Sequence, residues 1–157
     1  MKVVLYWVGK TDNAHVAALC DDYVGRLRHL MPIEVVTLSE PRTTRSLSEN
    51  QQKQWTGDRL LERLHPADYL VLLDERGKLM TSLECATWLE TRLAGSAHTL
   101  VFAIGGPYGF SPAVYQRANE QLALSPMTFS HQLVRALFLE QLYRATAINH
   151  HLPYHHA

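Results

Sequence analysis

The sequence predicts an α/β protein with a mostly parallel sheet and helices on both faces. Two observations carry that expectation. Strand-like and helix-like segments alternate from one end of the chain to the other, as βαβαβαβαβα. The strand-like segments are short, continuous apolar runs, the pattern of strands covered on both faces.

Val3 to Gly9 is the first such run. Asp12 or Asn13 then caps a helix to about Leu30, with Val16, Leu19, Tyr23 and Leu27 at helical spacing, and Pro32 stops it. Ile33 to Leu38 reads as a second strand, and Glu40 to Ser48 as a polar loop. A polar helix is expected from about Ser48 to Leu64. Asp68 to Leu73 is a third strand, closed by a turn at Asp74-Glu75-Arg76-Gly77. Thr81 and Glu84 form a capping box for a helix to about Ala94. The fourth strand, Thr99 to Ile104, runs directly into Gly105-Gly106. Ser111-Pro112 opens a helix that reaches near Gln121. Leu122 to Phe129 reads as a short fifth strand interrupted by Pro126. A last helix spans about His131 to Ile148, before a nine-residue tail.

With 157 residues the chain is expected to form a single domain, residues 1–157. Hydrophobic residues make up 46% and charged residues 19%, an ordinary globular composition. Fifteen Lys and Arg balance fifteen Asp and Glu, which excludes nucleic-acid binding by bulk charge alone. Cys20 and Cys85 are far apart in no metal-type spacing and fit buried thiols in a reducing cytosol. The N-terminus lacks the features of a signal peptide, and no apolar stretch approaches a membrane span. A cytoplasmic protein without membrane contact is expected.

The last helix is apolar nearly all round: Leu133, Val134, Leu137, Phe138, Leu142, Tyr143 and Ile148 leave little polar face. A homodimer built on this helix is one way to cover it; deep burial within one chain is the other.

Three strand ends carry unusual chemistry, where α/β sheets hold their ligands. One follows Leu73. A second is Ile104-Gly-Gly-Pro-Tyr-Gly-Phe110, whose glycines admit close backbone approach but do not match a dinucleotide fingerprint. The third, Leu122 to Arg135, mixes apolar residues with Ser125, Thr128 and Ser130, and suits an adenine or a thioether. Four of the nine histidines, His150, His151, His155 and His156, lie in the tail without cysteine or acidic neighbours, so no metal is expected. Tyr154-His155 after Pro153 reads as a placed polar tip. Glu140 precedes Arg144 by four residues, the favourable ion-pair order. Arg42 and Arg45 are candidate phosphate contacts.

Five segments in order, Leu72 to Lys78, Ile104 to Gly109, Leu124 to Arg135, Glu140 to Ala145 and Pro153 to Ala157, together with Val8-Gly9-Lys10, resemble the ribosomal RNA large-subunit methyltransferase H family, a branch of the SPOUT methyltransferases. The resemblance implies an α/β knot, with the C-terminal segment threaded as a trefoil to shape the cofactor pocket. It implies a cytoplasmic homodimer that uses S-adenosylmethionine to methylate N3 of a pseudouridine in 23S rRNA on the assembled ribosome. The family's cofactor contacts fall on Leu73, Gly105 and Leu124, Ser125, Pro126, Met127, Thr128 and Phe129. Its active-site pair falls on Tyr154 and His155, and its His and Arg at the start of the last helix on His131 and Arg135. Tyr108 stands where relatives often carry a small or acidic residue, and His156 and Ala157 where they commonly have Lys or Arg. The rival expectation is a non-catalytic ribosome- or RNA-binding module with the same fold.

Overall fold

The computed structural model describes residues 1–41, 43 and 46–156. Arg42 and Arg45 lie outside the described residues. The elements follow in the expected order: β1 (Lys2–Val8), α1 (Ala14–Arg28), β2 (Ile33–Leu38), α2 (Glu49–Glu62), β3 (Tyr69–Leu79), α3 (Ser82–Leu93), β4 (Thr99–Ile104), α4 (Pro112–Arg117), β5 (Glu120–Ala123) and α5 (Leu133–Asn149). The strands form one sheet in the order β2-β1-β4-β3-β5, and every pairing is parallel.

The two-residue period of β1 sends its side chains to two separate cores. Val3, Leu5 and Trp7 pack with α1, α3 and α5 on one face. Val4, Tyr6 and Val8 pack with α2 and α4 on the other. Both faces of β4 are fully covered, which is why it reads as an unbroken apolar run. Two of the expected caps form, while Ser111 at the start of α4 makes no side-chain cap bond. Asn13 accepts from the N–H groups of His15 and Val16, and Thr81 and Glu84 close a capping box. Ser48 and Gln51 close a second one. Cys20 is buried and Cys85 half-buried, and burial pushes both thiols up to about 11, so neither is a reactive thiolate.

Three boundaries differ from expectation, each for a local reason. Helix α4 stops at Arg117 rather than near Gln121. Asn119 leaves it to pair with β3, its N–H donating to the Leu70 carbonyl (2.8 Å) and its Oδ1 accepting from the Leu70 N–H (2.8 Å). Strand β5 covers Glu120–Ala123 rather than 122–129. Pro126 has no N–H to give a ladder, and the Met127 N–H turns to Ser125 Oγ (3.0 Å). Strand β3 does not end at Leu73. It bulges out over residues 74–77 and resumes, so that Leu122 of β5 is paired first with Leu73 and then with Lys78. A Cβ on Gly77 would stand 2.6 Å from the Gln121 backbone, so only glycine closes this bulge.

The apolar circumference of α5 is covered largely inside the chain. The helix lies over the sheet between α1 and α3, with the Phe138 ring tilted against Phe102 of β4 (4.8 Å between centroids) and Leu139 fully buried. Leu133 remains exposed on it, as does Leu19 on α1.

The start of α5 is bolted to the end of β1 by Arg135, the largest side chain with no solvent exposure. Its Nη2 donates to the Val8 carbonyl (2.7 Å), its Nη1 to the Gly9 carbonyl and Thr11 Oγ1 (2.9 Å each), and its Nε to the His131 carbonyl (3.1 Å). The guanidinium lies 4.9 Å over the Trp7 ring. Burial lowers its pKa from the ordinary arginine value. Gln132 adds two bonds to the same loop, accepting from the Asp12 N–H (2.9 Å) and donating to the Lys10 carbonyl (3.1 Å). Arg135→Met keeps the apolar stem but strips the Val8 and Gly9 carbonyls of their partner. We expect a loss of about 3 kcal/mol or more, read as a lower urea midpoint. A variant of unchanged stability would show that the guanidinium does not hold this loop.

Candidate functional site

A cavity of about 550 Å³ opens at the carboxyl ends of β3, β4 and β5. Three segments wall it, and they are the three strand ends singled out in the sequence. The β3 bulge contributes Leu73, Asp74, Glu75 and Arg76. The glycine loop after β4 contributes Gly105 to Phe110. The segment after β5 contributes Leu124, Ser125, Met127, Thr128 and Phe129, and it leads to Ser130, His131 and Val134 at the start of α5.

The glycine loop is a tight turn, closed by the Gly109 N–H on the Gly106 carbonyl (3.1 Å). Gly109 has φ +83°, the left-handed region. A Cβ on Gly105 would stand 3.2 Å from the Gly109 backbone, so the turn folds back against its own start. The loop after β5 is anchored across the mouth, where the Thr128 hydroxyl donates to Glu75. Ser130 Oγ accepts the Leu133 N–H (3.0 Å) and caps the approach to α5.

The bulge gives the cavity its charge. Asp74 is buried to 8% side-chain exposure. It accepts from the Tyr115 hydroxyl and from the Arg76 N–H (2.8 Å). Burial alone would raise the Asp74 pKa, but these hydrogen bonds outweigh it and hold the carboxyl below its usual range. Burial and the bond to Asp74 push Tyr115 up in turn. Asp74 therefore stays an anion beside an otherwise apolar floor of Leu73, Ile104, Leu124 and Phe129. Asp74 and Tyr115 were not legible as site residues, because the first reads as a turn residue and the second as a helix position.

The expected site residues divide into two groups. Leu73, Gly105, Leu124, Ser125, Met127, Thr128, Phe129 and His131 meet around one cavity. Pro126 lies within the same loop but not in the wall. Burial, reinforced by the charge of Arg135, lowers the His131 pKa, so the ring is neutral at neutral pH. Arg135 is not in the cavity; it is the buried bolt described above.

Tyr154 and His155 are also elsewhere, on the C-terminal half of α5. The helix ends in a Schellman motif, with the Leu152 N–H on the Ala147 carbonyl (2.9 Å) and the His151 N–H on that of Ile148 (3.1 Å). His151 takes the left-handed position usually given to glycine, at φ 58°. A tight turn across Pro153, from the Tyr154 N–H to the Leu152 carbonyl (2.9 Å), sends the tail back along the helix. There the Tyr154 hydroxyl lies 3.0 Å from both Tyr23 Oη and Glu140 Oε1, and its ring stands edge-on to Tyr143. His155 Nδ1 meets Arg144 Nη1 at 3.1 Å, and Arg144 pairs with Glu140. The tail is thus docked, but about 15 Å along the axis of α5 from Val134, counting ten residues to Arg144.

Among the described residues no group of three or more His, Cys, Asp or Glu is placed to hold a metal ion, and no helix is long and apolar enough to cross a membrane. Tyr115→Phe removes one of the bonds that keep Asp74 ionised. The Asp74 carboxyl should then titrate at higher pH, followed by carbon-13 NMR of the side chain; an unmoved titration would separate the two groups.

Comparison with known proteins agrees with this arrangement. A family model described as "Predicted SPOUT methyltransferase" matches residues 1–155. The chain is 47% identical over 156 residues to a Parabacteroides distasonis protein, 46% to one from Phocaeicola vulgatus and 45% to one from Bacteroides fragilis. Each alignment covers 99% of both chains, and each relative is named ribosomal RNA large subunit methyltransferase H. Two solved structures share the fold at low identity. One is a Legionella pneumophila protein in complex with SAM, with a TM-score of 0.52, 12% identity, and coverage of 92% of this chain and 66% of that one. The other is a methylase-family protein from Haemophilus influenzae, with a TM-score of 0.52, 10% identity, and coverage of 99% and 70%. Over nearly its whole length the chain belongs to the SPOUT methyltransferases, within the ribosomal RNA large subunit methyltransferase H family.

Proposed function

We propose that this chain is an S-adenosylmethionine-dependent methyltransferase that modifies N3 of a pseudouridine in 23S rRNA on the assembled ribosome. The observation that carries the reading is the cavity itself. Three separate strand ends converge on it, with backbone donors and acceptors, an apolar floor and one buried carboxylate. That donor set fits the cofactor. Leu73, Leu124 and Phe129 offer contact to an adenosine, and the loop of Ser125 to Thr128 offers polar backbone. Asp74 and Glu75 outweigh the single charge of Arg76, which pairs with Asp74 on the same bulge, so the bulge as a whole favours a cation. When bound, S-adenosylmethionine supplies an electrophilic methyl group on a sulfonium.

The chain's own residues do the rest. The acceptor N3 carries a proton that must leave, and His131 is a neutral imidazole in the cavity wall, able to accept it. The glycine loop holds one wall close and leaves the mouth open for a base. Zero formal net charge suits docking onto a folded ribosome rather than capture of free RNA.

The working unit we propose is a cytoplasmic homodimer of single-domain chains, each with its C-terminal segment threaded as a trefoil knot. Support for the dimer comes from the tail. Neither Tyr154 nor His155 lines its own cavity: they dock at Glu140 and Arg144, about 9 and 15 Å along α5 from Val134, so a second protomer is the way to bring such a pair to each cavity. Leu19 and Leu133, exposed on α1 and α5, are apolar surface for that contact.

Ribosomes from a strain lacking this gene should accept one methyl group per large subunit from S-adenosylmethionine and the purified protein. Gly105→Val, which drives a branched side chain into the Gly109 backbone, should abolish calorimetric binding of the cofactor. Binding without methylation by the wild-type protein would favour a non-catalytic module instead.

The shared site has its own test. A chain ending at Pro153 keeps its cavity, and the Gly105→Val chain keeps its tail. Each alone should be inactive, while co-expressed chains should recover methylation in the mixed dimer. No recovery would return the tail to its own protomer.

A further inference from the structure

Glu140, Arg144, Tyr154 and His155 form a closed polar cluster outside the cavity. We infer that Arg144 is a positioning residue that holds His155 as the Nε2–H tautomer, so that the tail offers the acceptor base a hydrogen-bond donor and not a proton acceptor. The inference rests on the reading that the tail serves a methyl-transfer site.

The argument starts from the donor inventory. A guanidinium has five N–H groups, no acceptor, and keeps its charge. At the 3.1 Å contact, therefore, Arg144 Nη1 donates and His155 Nδ1 accepts. A neutral imidazole that accepts at Nδ1 carries its proton on Nε2. A doubly protonated ring would set an N–H against the N–H of a cation. Arg144 is not free to swing away. Its Nη2 is paired with Glu140, its guanidinium lies 4.9 Å over the Tyr154 ring, and its side chain is 24% exposed.

Tyr154 is committed as well. Glu140 as a carboxylate only accepts, so the one Tyr154 hydroxyl proton goes to Glu140 Oε1, and the Tyr154 oxygen accepts from the Tyr23 hydroxyl. Burial and these two bonds push the Tyr154 hydroxyl far above its ordinary pKa. With Nδ1 and the Tyr154 hydroxyl committed within the cluster, the tail group left to donate is His155 Nε2–H.

That group has a task in the chemistry. When N3 of the acceptor base loses its proton, the negative charge spreads to the carbonyl oxygens on either side. A fixed N–H aimed at one of them stabilises the charge as it develops. The N–H bond at N3 breaks, its proton passes to another base (His131 in the reading above), and His155 keeps its own proton throughout.

Two measurements on the intact protein decide this. Nitrogen-15 NMR of His155 in alkaline buffer should show a wholly pyrrole-type Nε2 and a wholly pyridine-type Nδ1. Arg144→Met should return the ring to a mixture of tautomers. On ribosomes, His155→Gln supplies an amide oxygen for Arg144 and an NH2 to donate outward, but no base. It should retain methylation to within about tenfold, while His155→Ala loses roughly 10²-fold. A mixed or Nδ1–H tautomer in the wild-type protein, or a Gln variant as slow as the Ala variant, overturns the inference. A fully active Ala variant would instead remove the tail from the reaction, and the NMR result would still decide the tautomer.

Discussion

A single buried cation organises this molecule. Arg135 sits at the start of the last helix and spends its N–H groups on the loop after the first strand and on the His131 carbonyl of its own segment. Those partners are up to 127 residues away in the chain. None of its hydrogen-bond partners is a carboxylate; its direct contacts are carbonyl dipoles, the Thr11 hydroxyl and the face of Trp7, while Asp12 and Glu40 act on the charge from further off. Such a group is costly to bury and costlier to leave unpaired, which makes the arrangement all-or-none. With it in place, α5 starts at one fixed point, and the segment from Leu124 to His131 must cross the strand ends to reach it.

The cavity is the consequence of that crossing. Its walls come from three strands adjacent in the sheet, and each wall departs from regular structure where it meets the cavity. The bulge at Asp74 to Gly77 pushes carboxylates inward, the glycine turn folds back on itself, and Pro126 releases the last segment from the ladder. Regular strands there would have paired these polar groups with one another. The irregularity leaves them available to a ligand, and the rigid sheet beneath keeps them in place.

The far end of α5 is organised by a different economy. A Schellman turn with histidine in the left-handed position and a tight turn at Pro153 reverse the chain, and the Glu140–Arg144 pair receives it. Surface ion pairs usually contribute little to stability. Here the pair's consequence is orientation, because each of its charged groups also binds one tail side chain.

Element order, the parallel sheet, two helix caps and the three strand ends that wall the cavity were legible from residues alone. They rest on local chemistry: apolar period, capping side chains, and glycine and proline positions. The family resemblance pointed to the glycine loop and to Leu124 to Phe129 for the same reason, since each is a short continuous stretch of chain. Two matters needed the tertiary structure. Arg135 reads like His131 on paper, yet one is a buried bolt and the other a cavity wall, because only folding shows which carbonyls a guanidinium meets. Asp74 became a buried anion only when Gly77 let β5 approach the bulge and Tyr115 arrived from α4. A sequence by itself determines what each segment tends to form; which distant groups share a desolvated space, and therefore which charges survive there, is decided by packing.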